Sequence, residues 1–297
     1  MDDAVENLAS DLLDRRTTTH LTCLILGGPD TGKTTLITAL AQTLARQTRV
    51  AVIDADIGQS HIGPPTTVGW AMADPNVGDL TRLPVRGLGF VGGLSPPGRL
   101  LPLMVTLNQA ALEARDAAPI VLVDTGGYIQ GPAARALWWN TQRMLNPGVV
   151  LAVQKETELA PVLSGLDPSS AVYRLQAAAA CRTRSRQMRR QFRRQRLLAY
   201  FRHRQTCEVG VEDIAIQVVR PTERSPVPPE PGTALGLIDG DGRDLGIGVA
   251  LPGSERRIRF LAPPLPSGHI HGVILSDARL GQALGLSIPS PEQEPHA

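Results

Sequence analysis

Up to about residue 207, apolar and polar positions form short blocks that predict strands separated by helices. Apolar runs with strand character, each ending at a glycine, an acid or a polar turn, occur at residues 21–26, 49–54, 87–91, 120–124 and 149–153. Helical spacing of apolar residues is found at 5–13, 34–47, 101–114 and 133–144. Nearly continuous apolar strands that alternate with helices predict an α/β fold, a mostly parallel sheet flanked by helices on both faces. Ligands bind at the carboxyl ends of the strands in such folds.

After residue 207 the pattern changes. Residues 221–231 are rich in proline, and short apolar runs follow at 235–238, 245–250 and 257–261, around Asp-Gly-Asp-Gly at 239–242. Such runs and turns are typical of β-hairpins. The sequence therefore predicts a large domain over residues 1–207 and a small β-rich domain over 208–297, with a disordered tail from Pro289.

Composition narrows the class of protein. The 297 residues are 42% hydrophobic, enough for a core of ordinary size. No apolar stretch reaches the roughly 18 residues that a membrane span needs, and the acidic start does not resemble a signal peptide. Three widely separated cysteines lack the spacing of zinc sites or disulfide frameworks. We expect a cytoplasmic protein with no membrane partner.

The chain contains a complete phosphate-binding loop, Gly-Gly-Pro-Asp-Thr-Gly-Lys-Thr at residues 27–34, between a predicted strand and a predicted helix. Lys33 is expected to bridge the β- and γ-phosphates, and the Thr34 hydroxyl to bind Mg²⁺, with Thr35 on the α-phosphate side. These features predict a P-loop NTPase-type sheet that binds ATP or GTP. The candidate nucleotide-binding residues are Gly28, Pro29, Asp30, Thr31, Gly32, Lys33, Thr34 and Thr35.

Three acidic residues lie at or just after the ends of two predicted strands, at the same edge of the sheet. Asp54 and Asp56 follow the second strand, and their alternation would point both carboxylates the same way. Asp124 ends a strand as a Walker B acid does, and it competes with Asp54 for the magnesium. A kinase that acts on an alcohol needs one carboxylate to accept the hydroxyl proton and another to hold Mg²⁺.

Ten arginines and no acid lie between Arg182 and Arg204, although only two of the chain's 30 basic residues are lysines. Met188 and Phe192 form an i, i+4 apolar seam that predicts a helix over residues 184–196. An anionic partner is expected, either a transferring γ-phosphate or a nucleic-acid backbone. A solvated basic helix is the alternative. Gln154, in the turn after a strand, is a candidate for the nucleobase, although an ordinary surface loop fits that turn equally.

Several motifs in this order resemble the polynucleotide 5′-hydroxyl kinase family of pre-mRNA cleavage factors and ribosomal-RNA processing enzymes. They run from about Leu24 to Phe201: the loop with Lys33-Thr-Thr, Asp54-Ala-Asp-Ile-Gly-Gln59, Gly63-Pro-Pro-Thr-Thr67, Phe90-Val-Gly-Gly-Leu-Ser-Pro-Pro-Gly98, Val123-Asp-Thr-Gly-Gly-Tyr-Ile-Gln-Gly131, and Arg184-Ser followed by Arg189-Arg and Tyr200-Phe. One departure is Arg99, which stands where family members often have histidine.

The resemblance implies roles for individual residues. Asp56 would activate the 5′-hydroxyl, with Asp54 and Gln59 supporting magnesium and the acceptor. Arg184 and Arg189, in the lid of residues 182–204, would reach the γ-phosphate. The candidate polynucleotide-binding residues are Gln59, Thr66, Thr67, Ser95, Pro96, Thr125, Gly126 and Arg193.

The sequence thus predicts a polynucleotide 5′-hydroxyl kinase that transfers the γ-phosphate of ATP or GTP, with Mg²⁺, to the 5′ end of RNA or DNA. Two alternatives remain. One is a non-catalytic ATP-binding scaffold in RNA processing, and the other is a conformational-switch ATPase or GTPase. Intact Lys33, Thr34, Asp56 and Arg189 argue against the scaffold, and switch proteins rarely need an arginine-rich lid.

Overall fold

The computed structural model describes residues 2–15, 20–178, 181, 183–219, 227–265 and 269–286. The chain forms two compact units, Met1–Arg190 and Gln191–Ala297. The boundary between them falls inside a helix, before the position expected from the change in sequence pattern after residue 207.

The first unit is built on a seven-stranded sheet in the order β4-β3-β2-β5-β1-β6-β7. Its strands are β1 Leu21–Gly27, β2 Val50–Ala55, β3 Thr67–Met72, β4 Val85–Phe90, β5 Ile120–Thr125, β6 Val149–Gln154 and β7 Ala171–Gln176. Its helices are α1 Asp2–Asp14, α2 Lys33–Ala45, α3 Leu100–Ala117, α4 Pro132–Leu145, the short α5 Ala160–Leu163 and the start of α6 Arg186–Tyr200. All neighbouring strands are parallel except that β3 is antiparallel to both β2 and β4.

Alternate residues of the central strands face two separate cores. Leu24 and Val123 pack on one face with residues of α3 and α4, whereas Cys23 and Leu122 pack on the other with residues of α1 and α2. The predicted α/β class and the mostly parallel sheet are therefore confirmed. The strands β3 and β7 were not predicted from the sequence, because Gly69 interrupts the apolar run of β3 and β7 is a half-exposed edge strand.

The second unit contains a six-stranded sheet in the order β8-β12-β11-β10-β13-β9. The strands are β8 Gln205–Gly210, β9 Ala215–Val218, β10 Thr233–Ile238, β11 Asp244–Ala250, β12 Arg257–Ala262 and β13 Gly272–Arg279. All pairings are antiparallel except that of β9 with β13. Three of these strands match the predicted ones, and the β-rich C-terminal fold is confirmed. Residues 220–226 of the proline-rich segment and the tail from 287 lie outside the described residues.

No helix among the described residues is long and apolar enough to cross a membrane.

Candidate active site

The phosphate-binding loop joins β1 to α2, as the motif predicts. Helix α2 begins at Lys33, directly after Gly32, whose φ of 89° is left-handed. The loop also approaches β6 closely, because a Cβ built on Gly27 would lie 2.6 Å from the carbonyl oxygen of Val153. Only glycine fits both positions without strain or clash. The loop backbone is therefore fixed at the edge of the sheet where parallel α/β folds bind ligands.

The Lys33 side chain lies along this loop. Its Nζ donates to the carbonyl oxygens of Gly27 at 2.9 Å and Gly28 at 2.8 Å. Burial lowers the pKa of Lys33, and the carboxylates of Asp124, Asp56 and Asp30 oppose that shift. A cation surrounded by three acids is thus held where phosphate oxygens would enter the loop.

Thr34 and Asp124 form the pair expected of a magnesium site. The Thr34 hydroxyl donates to Oδ2 of Asp124 at 2.9 Å. Oδ1 of Asp124 is buried and, among the described residues, has no hydrogen-bond partner. Burial, followed by the neighbouring carboxylate of Asp54, raises the pKa of Asp124 to about 7. An uncommitted buried carboxylate oxygen beside a hydroxyl is the kind of donor set that Mg²⁺ prefers.

Asp54 organises the loop that follows β2. Its Oδ1 accepts from the backbone N–H of Asp56, and its Oδ2 accepts from those of His61 and Ile62. Burial and the nearby charge of Asp56 raise the pKa of Asp54 to about 7, and the three backbone hydrogen bonds oppose that shift. Both oxygens of Asp54 are thus engaged by the protein, in contrast with Asp124. Asp54 and Asp56 also differ in exposure, because β2 ends between them at Ala55.

Asp56 is only partly buried, and one of its oxygens shapes the turn behind it. Oδ1 accepts from the N–H groups of Gly58 at 3.1 Å and Gln59 at 3.0 Å. Within the described residues, no hydrogen bond reaches Oδ2. Gly126 borders this carboxylate, since a Cβ built on Gly126 would lie 3.6 Å from its Cγ. Asp56 is therefore held by its backbone contacts with one oxygen available to an incoming group.

The segment containing Ser95 and Pro96 lies beside this turn. A Cβ built on Gly58 would meet the carbonyl oxygen of Leu94 at 2.6 Å, so the two loops are in contact. Ser95 is exposed and Pro96 partly exposed. Arg99 is buried behind them, and its Nε donates to the carbonyl of Gly92 at 2.8 Å. The arginine that replaces the expected histidine thus braces the Ser95 loop.

Three threonines assigned to substrate binding are instead buried in the scaffold: Thr66 and Thr67, expected to line the polynucleotide groove, and Thr125, expected in the turn near the γ-phosphate. Thr66 and Thr67 are 0% exposed and Thr125 is 1% exposed. The hydroxyl of Thr67 donates to the carbonyl of Pro64, and that of Thr125 donates to the carbonyl of Ile25. Packing within and next to β3 and β5 removes these hydroxyls from the surface, so direct contact between these side chains and a polynucleotide is not supported by the structure.

Thr66 has a separate structural role. Its φ of 79° is uncommon for a β-branched residue. Its N–H donates to the carbonyl of Ile57, and its own carbonyl accepts from Val91 and Gly92. The backbone of Thr66 therefore links the loop after β2, which contains Asp56, to the start of the loop that contains Ser95.

The predicted arginine helix is present as α6, and the segment before it contacts the phosphate-binding loop. Oδ2 of Asp30 accepts from the backbone N–H of Arg184 at 3.1 Å and from the guanidinium of Arg189 at 2.6 Å. The carbonyl of Arg189 accepts from Nε2 of Gln59 at 3.3 Å. Arg182 lies outside the described residues, and Arg193 lies in the second unit.

A cavity of about 570 Å³ opens beside the phosphate-binding loop. Besides loop residues, it is lined by Gly127, Tyr128, Ile129, Gln130, Lys155 and Glu158. Gln154 is not among its lining residues, and its buried Oε1 has no hydrogen-bond partner in the described chain. Apart from Lys155, which follows Gln154 in the turn suggested for the nucleobase, sequence reasoning assigned no role to these six residues. The signal available was their position directly after β5 and β6, at the carboxyl edge of the sheet.

Comparison with known proteins places this geometry in a family. Residues 27–203 match the family described as mRNA cleavage and polyadenylation factor CLP1 P-loop. A polyribonucleotide 5′-hydroxyl-kinase of Pyrococcus horikoshii is 32% identical over 196 residues, which cover 66% of this chain and 54% of that protein. The corresponding protein of Methanocaldococcus jannaschii is 31% identical over 198 residues, with 66% and 54% covered. The chain spans about half the length of these relatives.

Solved structures agree on the fold. A Clp1p–Pcf11p complex contains a chain with a TM-score of 0.73 and 16% identity, covering 94% of this chain and 79% of that one. A second Clp1p–Pcf11p structure has a TM-score of 0.69 at the same identity, with 94% and 80% covered. The family match covers more than half of the chain. It includes the phosphate-binding loop, the loop after β2 that contains Asp56, and the arginine-rich segment that leads into α6. This protein therefore belongs to the CLP1 P-loop family.

Proposed function

We propose that this protein is a polynucleotide 5′-hydroxyl kinase, which transfers the γ-phosphate of ATP or GTP to the 5′-hydroxyl end of RNA or DNA. The observation that carries the proposal is the position of Asp56. Its carboxylate is fixed through Oδ1, leaves Oδ2 without a partner among the described residues, and lies close enough to Lys33 to oppose the lowering of the lysine pKa. A base held beside a phosphate-binding cation is what alcohol phosphorylation requires.

The donor side fits a nucleoside triphosphate. The turn formed by left-handed Asp30 and Gly32 leads directly into the N-terminus of α2, where backbone N–H groups favour phosphate. The candidate residues for this site remain Gly28, Pro29, Asp30, Thr31, Gly32, Lys33, Thr34 and Thr35. Gln154, buried at its Oε1 and absent from the cavity lining, is a weaker candidate for base recognition than the sequence suggested.

The oxygen donors at the end of β5 fit Mg²⁺. Thr34 and Asp124 would hold the ion, and Asp54 would support it indirectly by fixing the loop that starts at Asp56. When bound, the ion supplies positive charge that polarises phosphate oxygens. Asp124 is assigned as the magnesium ligand because its Oδ1 has no hydrogen-bond partner among the described residues, whereas both oxygens of Asp54 accept hydrogen bonds.

The reaction follows from these positions. Asp56 takes the proton of the 5′-hydroxyl as its oxygen attacks the γ-phosphorus and the bond to the bridging β–γ oxygen breaks. Lys33 and Arg189 stabilise the negative charge on the transferring and leaving oxygens. The acceptor end would be placed by Gln59 and Gly126, which adjoin Asp56, and by Ser95 and Pro96, in the loop that touches Gly58. Arg193 and the outer arginines would bind the polynucleotide backbone.

The direct test is to incubate the protein with γ-labelled ATP and a 5′-hydroxyl oligonucleotide and to measure label on the 5′ end. We expect transfer by the wild type and none above background by Lys33→Ala, because that variant loses the cation that follows the transferred charge. Nucleotide binding without transfer or hydrolysis would instead indicate a scaffold. Hydrolysis to ADP and free phosphate without labelled oligonucleotide would indicate a switch ATPase.

A further inference from the structure

One carboxylate of the phosphate-binding loop holds two points of the arginine segment. Oδ2 of Asp30 accepts from the backbone N–H of Arg184 and from the Arg189 guanidinium at 2.6 Å. The Nε of Arg189 donates to the carbonyl of Arg184 at 3.2 Å, which closes a small ring of contacts. The Asp30 side chain is 10% exposed and that of Arg189 is 30% exposed, so this ion pair is better shielded than a pair on an open surface.

Asp30 adopts an unusual backbone conformation to make these contacts. Its φ is 54°, a left-handed region that glycine, asparagine and aspartate enter more readily than most other residues. The phosphate-binding motif allows any residue at this position. A carboxylate here is therefore not required by the loop itself, and the hydrogen bonds that its side chain accepts among the described residues all come from the arginine segment.

The same segment touches the site at two further points. Cys181 lies against the loop, because a Cβ built on Gly32 would come within 2.9 Å of its Sγ. On the other side, the carbonyl of Arg189 accepts from Gln59, in the turn that begins at Asp56. Arg189 consequently contacts the phosphate-binding loop through its side chain and the turn after Asp56 through its backbone carbonyl.

We propose that Asp30 is a positioning residue that holds the start of the lid, residues 183–189, against the phosphate-binding loop and keeps the Arg189 guanidinium within reach of the γ-phosphate. The inference rests on the proposed function, in which Arg189 stabilises the transferred phosphoryl group. A guanidinium has a planar fork that can bind a carboxylate on one edge while other N–H groups remain for a phosphate. Asp30 also adds negative charge beside the triphosphate, so it favours catalysis at the expense of nucleotide affinity.

Thiol labelling tests the contact without any phosphoryl transfer. In a Cys207→Ser background, Cys181 is the reactive thiol, since Cys23 is fully buried and burial raises its pKa. We expect Asp30→Asn to increase the rate of labelling by 5,5′-dithiobis(2-nitrobenzoic acid) roughly tenfold, because loss of the charged hydrogen bonds frees the segment. Asparagine tolerates the left-handed φ, so the loop should keep its conformation. Asp116→Asn, on the exposed end of α3, serves as the charge-matched control and should label at the wild-type rate.

A double-mutant cycle makes the labelling test specific to the pair. Arg189→Gln should accelerate labelling to a similar extent, and Asp30→Asn with Arg189→Gln should not exceed the larger single effect, since both act through one ion pair. Labelling of Asp30→Asn at the wild-type rate, or additive effects in the double variant, would overturn the proposal.

Kinetics supply the second readout. We expect Asp30→Asn to lower kcat about tenfold while KM for the nucleotide stays constant or falls, as predicted for a residue that positions a transition-state contact. A raised KM with unchanged kcat would instead show that the Asp30 side chain itself binds the nucleotide, and would refute the positioning role. If the wild type transfers no phosphate but the labelling cycle behaves as expected, the kinase assignment fails and the contact stands.

Discussion

Asp54 and Asp124 lie directly opposite each other on the neighbouring parallel strands β2 and β5, and each is 1% exposed. Their partners differ. Asp54 accepts three backbone N–H groups of the loop that follows β2, whereas Asp124 accepts from the Thr34 hydroxyl and keeps one oxygen without a partner among the described residues. Two like carboxylates thus differ in availability: both oxygens of Asp54 are used in building the loop, whereas Asp124 keeps one oxygen for a ligand.

This pair should make stability depend on pH. Burial raises the pKa of both carboxyls to about 7, from 3.8 in the unfolded chain. Between these values the folded pair retains a proton that the unfolded chain releases, so its contribution to stability falls as pH rises from about 4 to about 7 and stays low above that. We expect a lower Tm at pH 8 than at pH 5.5 in EDTA, and a smaller difference in Asp124→Asn. If Tm depends on pH equally in wild type and Asp124→Asn, the buried carboxyl pair is not the cause. Asp116→Asn is the control for loss of a surface charge.

Asp56→Asn should separate binding from chemistry. The amide oxygen can still accept from Gly58 and Gln59, so the turn should persist, but the proton acceptor is lost. We expect phosphoryl transfer to fall by about two orders of magnitude or more, with nucleotide affinity nearly unchanged. Single-turnover rates and equilibrium nucleotide binding measure the two effects. If Asp54→Asn or Asp124→Asn shows that profile instead, the base has been misassigned.

The arginines of the lid should fall into two kinetic groups. Arg184→Ala and Arg189→Ala should mainly lower kcat, because contacts to the γ-phosphate act on charge that is redistributed in the transition state. The outer residues Arg193, Arg194 and Arg196 should instead raise KM for the oligonucleotide when changed to Ala. Each of these changes should also reduce the salt dependence of binding by about one counterion for every phosphate that the variant no longer neutralises. Steady-state kinetics at two salt concentrations measure both, and neutral behaviour of all five would leave only a solvated basic helix.

Arg99 should support the acceptor side through the Ser95 loop. Arg99→Met keeps much of the side-chain volume but removes the bond from Nε to the Gly92 carbonyl. We expect a loss of about 1–3 kcal/mol in the free energy of unfolding, the cost of leaving a buried acceptor unpaired. KM for the oligonucleotide should rise while KM for the nucleotide stays constant. Chemical denaturation and kinetics measure these effects, with exposed Arg86→Met as control, and an equal rise in both KM values would argue against a loop-specific role.

Local sequence was sufficient for the donor half of the site. The phosphate-binding loop could be located with each residue in place, because its geometry depends on glycines and a hydroxyl at fixed spacing between one strand and one helix. The apolar runs likewise determined the central strands and the β-rich second unit, since a strand buried on both faces must be continuously apolar. The half-exposed edge strand β7 and the internal strand β3, whose apolar run is broken by Gly69, did not have that pattern and were missed.

Only the tertiary structure distinguished residues that the sequence treats as equivalent. Asp54, Asp56 and Asp124 are all acids at strand ends, yet their accessibility depends on which N–H groups the next loop turns towards them. Thr66, Thr67 and Thr125 lie in motifs that suggest ligand contact, but packing between strands buries their hydroxyls. The pairing of Asp30 with Arg189, 159 positions apart, is equally absent from any local pattern. Burial and hydrogen bonding are decided by neighbours distant in the chain, so the sequence specified the chemical groups of this site and the folded packing specified which of them are available.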